Sequence, residues 1–387
     1  MSDQARPPGS LPLAGVRVAD FSRVLAGPLA TMLLADLGAD VVKVERPGSG
    51  DDSRAWGPPF VGEDAAYFLA LNRNKRSVVL NLETERDRNQ ARRLALSSDV
   101  LVENFRPGLM TRFGLDYHTL SADKAELVYC SLTAFGEREG AASRPGYDII
   151  VQALSGLMSV TGHPGGEPTK VGVALLDVIC GLYAANAIQA ALIGRQGTGL
   201  GTHVTVSLFD AGVAALVNQA ANHLLGGLVP GPMGNAHPNI VPYQLFRAND
   251  RPIVIAAGND RLFARTCEVL GLPGLSTDER YATNESRVLH REVLVELLSN
   301  RLATRSAGEW ISELEAAGVP CAIVRTVEEV FASPEGGATI QEIDDPVRGP
   351  LRLVAEPIRL HGVTPPARMP PPRLGEHTEE ILRELEP

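Results

Sequence analysis

The sequence predicts an α/β protein with a doubly wound, mainly parallel sheet, and two features of the chain support that prediction. The first is a pair of short β-type runs, VRVADF (16–21) and DVVKVE (40–45), on either side of an apolar helical stretch, PLATMLLADLG (28–38). Pro28 is favoured in the first turn of a helix, and Gly38 is favoured just after its end. These segments therefore predict a strand–helix–strand unit, the building block of a parallel sheet.

The second feature is that the same alternation continues along the chain. VVLNL (78–82), a polar helix through ARRLAL, DVLVEN and LVYCSL (127–132) repeat the order of strand and helix. Because helices that join parallel strands cover both faces of one sheet, we expect a large Rossmann-like domain. The composition then changes at a hairpin-like run, FRANDRPIVIAAG (246–258). We predict a large domain over 1–225, a small α+β domain over 226–330, and a C-terminal segment, 331–387, that returns to the large domain.

The composition argues against several classes of protein. The 387 residues carry a net charge of -10, which gives no basic surface for nucleic acid or an anionic membrane. The eight histidines are scattered, and the chain has no Gly-x-Ser-x-Gly or Walker sequence. The glycine-rich run in GRQGTGLGTHVTVSLFD follows a helix and precedes a strand, the reverse of a nucleotide-binding loop. The four cysteines are far apart, so we expect free thiols in a cytoplasmic protein.

Asp177 has the most unusual setting of any charged residue. It is the one acid in KVGVALLDVICGLYAANAIQAALIG (170–194), a mostly aliphatic run. The run is long enough to span a bilayer, but a central acid would cost about 2.5–3.5 kcal/mol there, so a buried helix is the better interpretation. Two roles remain open from the residues alone, and both can hold at once because a helix N-terminus also stabilises an anion. Asp177 caps a helix that begins near residue 178, or it is a desolvated carboxylate that acts as a nucleophile.

Further stretches, in order along nearly the whole chain, resemble the class III CoA-transferase family, which includes formyl-CoA transferase and carnitine-type CoA-transferases. The matching stretches are LAGVRVADFSRVLAGP, LADLGADVVKVERPGSGDDSRAWGPPF, LNRNKRSVVLNL, ENFRPG, RPGYD, the Asp177 segment and PPPRLGEHTEEIL. The resemblance implies that Asp177 is the catalytic nucleophile, which forms first an anhydride with the acyl group and then an aspartyl thioester with CoA. CoA and acyl-CoA are then substrates, with no permanent cofactor and no metal.

The same resemblance implies an assembly and a set of binding residues. The expected assembly is a homodimer of two interlocked, ring-like subunits, with no nucleic-acid or membrane partner. The residues that the resemblance assigns to the CoA site are Val24, Leu25, Ala26, Arg46, Leu80, Asn104, Phe105 and Arg112. Those that it assigns to the acyl pocket or to the family's glycine-rich loop are Trp56, Tyr67, Gly258 and Asn259.

Several cations are candidates for the three phosphate groups of CoA. They fall at or next to the ends of predicted strands, where a doubly wound sheet binds its ligands. These residues are Arg46, Lys75, Arg76, Arg106 and Arg112.

Two other activities are weighed against CoA transfer. α-Methylacyl-CoA racemase resembles the chain across the sheet domain, but it requires a histidine in the RPGYD segment, where this chain has Tyr147. A tyrosine with an ordinary pKa near 10 is a poor proton shuttle at neutral pH, so transfer is favoured over racemisation. A non-catalytic CoA-binding protein is the third possibility, and the presence of Asp177 argues against it.

The choice of substrate depends on a weaker resemblance. GNAHPNIVPYQLF (234–246), together with GDDSRAWGPPF, is most similar to the branch that moves CoA from succinyl-CoA to glutarate or a related dicarboxylate. The far carboxylate of such an acid needs a cation or a polar cluster, for which Arg54, Asn235 and His237 are candidates. His237 is equally well explained as a loop histidine satisfied by backbone groups. Oxalate, carnitine, citramalate and mesaconate stay open as acceptors.

Overall fold

The computed structural model describes residues 10–136, 140, 144–361 and 368–386. By their contacts these residues fall into two compact units. The first unit is drawn from Met1–Met158, Lys170–Gly226 and Ala338–Pro387, and the second from Ser159–Thr169 and Gly227–Gly337.

The first unit is built around a parallel sheet of six strands. In chain order the strands of this region are β1 (Arg17–Asp20), β2 (Asp40–Glu45), β3 (Phe60–Val61), β4 (Asp64–Ala65), β5 (Lys75–Val79), β6 (Val100–Glu103), β7 (Val128–Thr133) and β8 (His203–Ser207). β3 and β4 form a separate hairpin, and the other six strands lie in the order β5-β2-β1-β6-β7-β8 with every pair parallel. The predicted α/β class with a parallel central sheet is confirmed.

The strand order itself locates a binding crevice. The chain adds strands to one side of β1 and then, from β6 onward, to the other side. The connections on either side of this point run over opposite faces of the sheet, so a crevice opens at the carboxyl ends of β1 and β6.

Ten helices in the described part of this region accompany the strands. They are α1 (Ala26–Asp36), α2 (Ala66–Leu69), α3 (Glu85–Ser97), α4 (Leu109–Phe113), α5 (Tyr117–Ser121), α6 (Asp148–Leu154), α7 (Leu157–Val160), α8 (Leu175–Thr198), α9 (Leu208–Ala214) and α10 (Val217–Leu224), with a 3₁₀ turn at Asp52–Ala55. Successive residues of β2 serve opposite faces of the sheet, as the pleat requires. Val41 belongs to the core that includes α1 and α8, whereas Val42 belongs to the core that includes α3 and α4.

α8 packs closely on α1 because one of its faces consists of small residues. Cys180, Gly181, Ala184 and Ala185 are buried along this face. A Cβ atom at Gly181 would lie 2.7 Å from the carbonyl oxygen of Ala26, so only glycine permits this approach. By length and composition alone, α8 is the one helix of the described chain that could cross a membrane.

The second unit has its own small sheet and core. Its elements are β9 (Tyr243–Arg247), β10 (Pro252–Ala256), α11 (Asp260–Val269), α12 (Asn284–Leu289), α13 (Arg291–Leu302), α14 (Ala307–Ala316), β11 (Cys321–Ile323), α15 (Val327–Ala332) and α16 (Pro334–Gly337), with a 3₁₀ turn at Pro273–Ser276. The three strands are antiparallel in the order β11-β10-β9. Phe263, Leu298 and Trp310 lie at the centre of the core between this sheet and the helices.

The last described segment belongs to the first unit. It contains the hairpin β12 (Ile340–Asp345) and β13 (Gly349–Val354), followed by α17 (Thr378–Glu384). The start of α17 is bonded to β5, since the His377 amide donates to the Ser77 carbonyl at 3.0 Å and the Val79 amide donates to Thr378 Oγ1 at 3.1 Å. Ile381 then packs into the same core as α3.

Candidate active site

Two loops form the crevice at the carboxyl ends of β1 and β6, and Asn104 joins them. Its Oδ1 accepts from the Arg23 amide at 2.9 Å, and its Nδ2 donates to the Arg23 carbonyl at 2.7 Å. The Arg23 guanidinium lies 5.0 Å from the centre of the Phe105 ring on the other loop. These contacts fix the separation of the two loops, and hence the width of the crevice.

Val24, just before α1, has a strained backbone. Its φ of 73° is in the left-handed region, which is rare for a β-branched residue. The Val24 amide donates to both oxygens of Asp51 at 3.2 Å, and Asp51 is in turn paired with Lys43 at 2.8 Å, both side chains being fully buried. Burial opposes the charge of Asp51, but Lys43 outweighs it and lowers the pKa of Asp51 below its ordinary value. The buried Asp51 carboxylate thus stabilises the strained backbone of Val24 by accepting hydrogen bonds from its amide.

Two cavities open at the crevice and share Arg23 and Phe105. The larger has a volume of about 350 Å³, and the smaller has a volume of about 260 Å³. Of the residues assigned to the CoA site, Arg46, Leu80 and Phe105 line the larger cavity. Those that line the smaller cavity are Val24, Leu25, Ala26, Asn104 and Phe105, together with Arg106, Tyr147 and Asp177. The structure therefore brings most of the predicted CoA residues and Asp177 to one place.

Arg46 lines the larger cavity, and Arg112 lies beside its wall, with its guanidinium 4.8 Å from the centre of the Phe113 ring. Arg46 donates from Nε to Ser49 Oγ at 2.7 Å and pairs with Asp52. Arg112 pairs with Glu83, a residue of the cavity wall, and its own side chain is largely exposed. Both guanidinium groups are accessible to a phosphate.

Three other predicted cations lie away from the cavities. Lys75 is fully buried and donates to Asp20 Oδ2 at 3.1 Å, and burial lowers its pKa to about 8. Arg76 pairs with Asp40 at 2.7 Å. Lys75 and Arg76 begin β5, so they lie at the amino end of a parallel strand, opposite the crevice. Arg54 is buried between Glu45 and Asp64, so it does not face a substrate either. For these three residues the prediction differs from the structure.

The start of α8 tests the capping role considered for Asp177. α8 begins at Leu175 rather than near 178, so Asp177 lies inside the first turn and is not its cap. Asp148 supplies the cap from α6, since its Oδ1 accepts from the Leu176 amide at 2.8 Å and from the Asp177 amide at 3.2 Å. The capping interpretation of Asp177 is wrong, and its side chain remains on the wall of the smaller cavity.

Gln152 connects this cap to the loop before α8. Its Nε2 donates to Asp148 Oδ2 at 2.5 Å, and its Oε1 accepts from the Val171 amide at 2.9 Å. Asp148 and Gln152 were not predicted from the sequence, although Asp148 belongs to the RPGYD segment. Their spacing of four residues on a helix was the available signal, because it places both side chains on one face.

The surroundings of Asp177 alter its acidity. Burial raises the pKa of Asp177 to about 7, and the nearby charge of Asp148 contributes in the same direction. Burial also raises the pKa of Tyr67 to about 12, and the charge of Asp177 adds to the effect. Tyr67 is therefore a neutral phenol within electrostatic range of Asp177, and Trp56 packs edge-on against its ring at 5.4 Å. At neutral pH a substantial fraction of Asp177 is ionised, as a nucleophile requires.

The remaining predicted pocket residues belong to the second unit. Asn259 caps α11, because its Oδ1 accepts from the Leu262 amide at 2.9 Å, and Gly258 is the exposed residue before it. His237 Nδ1 accepts from the Asn239 amide at 3.0 Å, as a loop histidine satisfied by backbone groups would. Asn235 is exposed in a turn. The cavity around Asp177 is formed by residues of the first unit.

The chain belongs to CoA-transferase family III, which matches residues 13–378. The protein is therefore a CoA-transferase, and CoA thioesters are its substrates. It is 43% identical to succinate–glutarate CoA-transferase of Agrobacterium fabrum, over 97% of this chain and 96% of that relative. It is 41% identical to succinyl-CoA:glutarate CoA-transferase of Homo sapiens, over 97% of this chain and 86% of the relative. A solved CAIB/BAIF family protein from Brucella suis has a TM-score of 0.85 at 44% identity and covers 97% of this chain and 100% of its own.

Proposed function

We propose that the protein transfers CoA from succinyl-CoA to a dicarboxylic acid such as glutarate, with Asp177 as the covalent nucleophile. The observation that carries this proposal is the position of Asp177 on the wall of the smaller cavity, which shares Arg23 and Phe105 with the larger one. Two adjoining cavities suit a CoA thioester, because its reactive carbonyl and its nucleotide are far apart. The glutarate CoA-transferases among the relatives support the choice of substrates.

The proposed reaction exchanges carbon–oxygen and carbon–sulfur bonds without oxidation. An Asp177 oxygen attacks the succinyl carbonyl carbon, the C–S bond breaks, and CoA leaves as a thiolate from a mixed anhydride. The thiolate then attacks the Asp177 carbonyl carbon and releases succinate. The acceptor carboxylate attacks the resulting aspartyl thioester and again expels the thiolate. Attack of the thiolate on the acceptor carbonyl carbon forms the new acyl-CoA and regenerates the Asp177 carboxylate.

The residues of the crevice support this chemistry in three ways. α1 begins at the cavity with no side-chain cap, and a helix start of this kind is an anion-binding site suited to the CoA phosphates. Burial around Asp177 limits the access of water to the anhydride, which water would hydrolyse. The hydrogen bonds that Asp148 accepts from the Leu176 and Asp177 amides hold the first turn of α8 in place, so Asp177 keeps one position through both half-reactions.

Intact-protein mass spectrometry tests the proposal directly. After succinyl-CoA is mixed with the protein, we expect a covalent CoA adduct that maps to Asp177 and is removed by hydroxylamine. Asp177→Asn is the matched control, because it keeps the shape of the side chain and is expected to form no adduct. Deuterium exchange at the α-carbon of an acyl-CoA without any adduct would favour the racemase activity and contradict the proposal.

We also propose that the working assembly is a homodimer, with the subunits interlocked as the family resemblance implies. Apolar residues at and beside α10 are strongly exposed in the single chain, including Val217 at 70%, Leu224 at 78% and Leu225 at 89%. A soluble monomer rarely exposes a continuous apolar patch, and a second copy of the chain would cover it. Light scattering over a dilution series is expected to give a dimer at every concentration. A folded monomer that forms reversibly on dilution would contradict the interlocked arrangement.

A further inference from the structure

Arg144 lies on the wall of the smaller cavity, as do Tyr147 and Asp177. It begins the RPGYD segment, whose Asp148 caps α8, so the loop that carries Arg144 also positions the nucleophile. Its guanidinium lies 4.9 Å from the centre of the Phe135 ring, which supports one face of the planar group. The Arg144 side chain is otherwise exposed to the cavity and to solvent.

Most cations around the two cavities are already paired with acids of the protein. Lys43 pairs with Asp51, and Arg23 and Arg46 both pair with Asp52. Among the residues that the structure describes, Arg106 and Arg144 are the cavity-lining cations that have no carboxylate within ion-pair distance.

The two unpaired cations have different neighbours. Arg106 lines the smaller cavity and directly follows Phe105, which both cavities share. Arg144 also lines the smaller cavity, but on the loop before α6 and three residues from Tyr147. A phosphate of CoA is therefore the natural partner of Arg106, whereas an anion on the acyl side of the thioester is the natural partner of Arg144.

We propose that Arg144 binds the far carboxylate of the acyl group, and so selects dicarboxylic substrates. The inference rests on the proposed function, since it assigns a role in that reaction. A guanidinium can form two parallel hydrogen bonds to a carboxylate, and the Phe135 ring orients it for that geometry. Arg144 thereby takes the role that the sequence suggested for Arg54. Arg54 itself is already paired with the buried carboxylates of Glu45 and Asp64.

Discrimination would follow from the charge left unpaired by the wrong substrate. A monocarboxylic acyl group places a methyl group where a succinyl or glutaryl group places a carboxylate. It leaves the Arg144 cation without its partner in a site from which the substrate has displaced water. The enzyme should therefore favour diacids both as donors and as acceptors.

Matched pairs of substrates test the inference. Succinyl-CoA is compared with butyryl-CoA in the rate of adduct formation on Asp177, and glutarate is compared with pentanoate in discharge of the preformed CoA adduct. In Arg144→Gln we expect the rates with succinyl-CoA and glutarate to fall by about 10- to 100-fold, the usual loss for a hydrogen bond to a charged group. Rates with butyryl-CoA and pentanoate should change less than about threefold. Arg144→Lys should recover part of the loss, because it restores the charge without the paired donors.

Arg106→Gln is the control variant, since it removes the other unpaired cation of the same cavity. This variant is expected to weaken the binding of succinyl-CoA and of butyryl-CoA equally, as the loss of a phosphate contact would. If Arg144→Gln lowers the rates with diacid and monoacid substrates equally, or lowers none of them, the inference is overturned while CoA transfer stands. If the wild-type protein forms no adduct with either thioester, the proposed function fails, and the role of Arg144 fails with it.

Discussion

Asp177→Asn is expected to abolish CoA transfer and, above pH 7, to make the folded protein more stable. Removing a covalent nucleophile commonly lowers the rate by at least about 10³-fold, because the remaining groups can bind the substrate but cannot form the intermediate. The gain in stability has a different origin. It follows from the cost of keeping an ionised carboxylate on a partly buried helix turn beside Asp148.

The pH dependence of this stability has a definite sign. Folding raises the pKa of Asp177 from 3.8 to about 7, so the folded state disfavours ionisation. The penalty is absent below pH 4, increases between pH 4 and 7, and is constant above pH 7. Asparagine carries no charge and therefore avoids this penalty. We expect Asp177→Asn to raise the free energy of unfolding by about 1–3 kcal/mol at pH 8, after allowance for the partial exposure of the site, and by less at pH 5.

Calorimetric unfolding of both proteins at pH 5 and pH 8 measures the difference. Asp344→Asn, at an exposed strand position, is the matched control and should change stability by the same small amount at both values. In the wild type, the rate of adduct formation should rise through about pH 7, because only the ionised carboxylate attacks. A rate that is flat across this range, or a variant that is less stable at pH 8, would contradict the assignment.

The sequence predicted those parts of the fold that short-range signals determine. VRVADF (16–21) became β1 at Arg17–Asp20, and DVVKVE became β2 at its predicted limits. The helix between them starts two residues before Pro28 and ends at Asp36, just before Gly38. Alternating apolar residues and a proline or glycine nearby carry this information within a few positions.

The parts that were missed depend on contacts between distant residues. The start of α8 is set by a carboxylate 28 residues earlier in the chain, at Asp148, so the local sequence around Asp177 could not reveal it. Lys75 and Arg76 precede the predicted strand VVLNL (78–82), so the sequence already placed them at its amino end, whereas a doubly wound sheet binds ligands at the carboxyl ends of its strands. The local sequence around Arg54 suggested an accessible cation. In the structure Arg54 is buried, because it pairs with Glu45 of β2 and Asp64 of β4.

Asp148→Asn is the second variant for which we expect a large effect, because it breaks the chain of hydrogen bonds behind Asp177. The new Oδ1 can still accept from the Leu176 amide, but Nδ2 would face Gln152 Nε2, so that two donors oppose each other. We expect the rate of adduct formation to fall by about 10- to 100-fold, since small displacements of a nucleophile are costly. The pH midpoint of that rate should also move below that of the wild type, because burial still raises the pKa of Asp177 but the additional effect of the Asp148 charge is gone.

The double variant Asp148→Asn with Gln152→Glu separates hydrogen-bond geometry from charge. The carboxylate introduced at position 152 can accept from the side-chain amide introduced at position 148 and from the Val171 amide, so the order of donors and acceptors along the chain is restored. The double variant keeps one negative charge, but this charge is at position 152 instead of 148 and lies farther from α8. We expect the double variant to recover most of the lost rate, while its pH midpoint lies between those of the single variant and the wild type. If Asp148→Asn alone leaves both the rate and the midpoint unchanged, Asp148 does not position Asp177. If the double variant is as slow as the single one, the order of hydrogen bonds is not the cause of the loss.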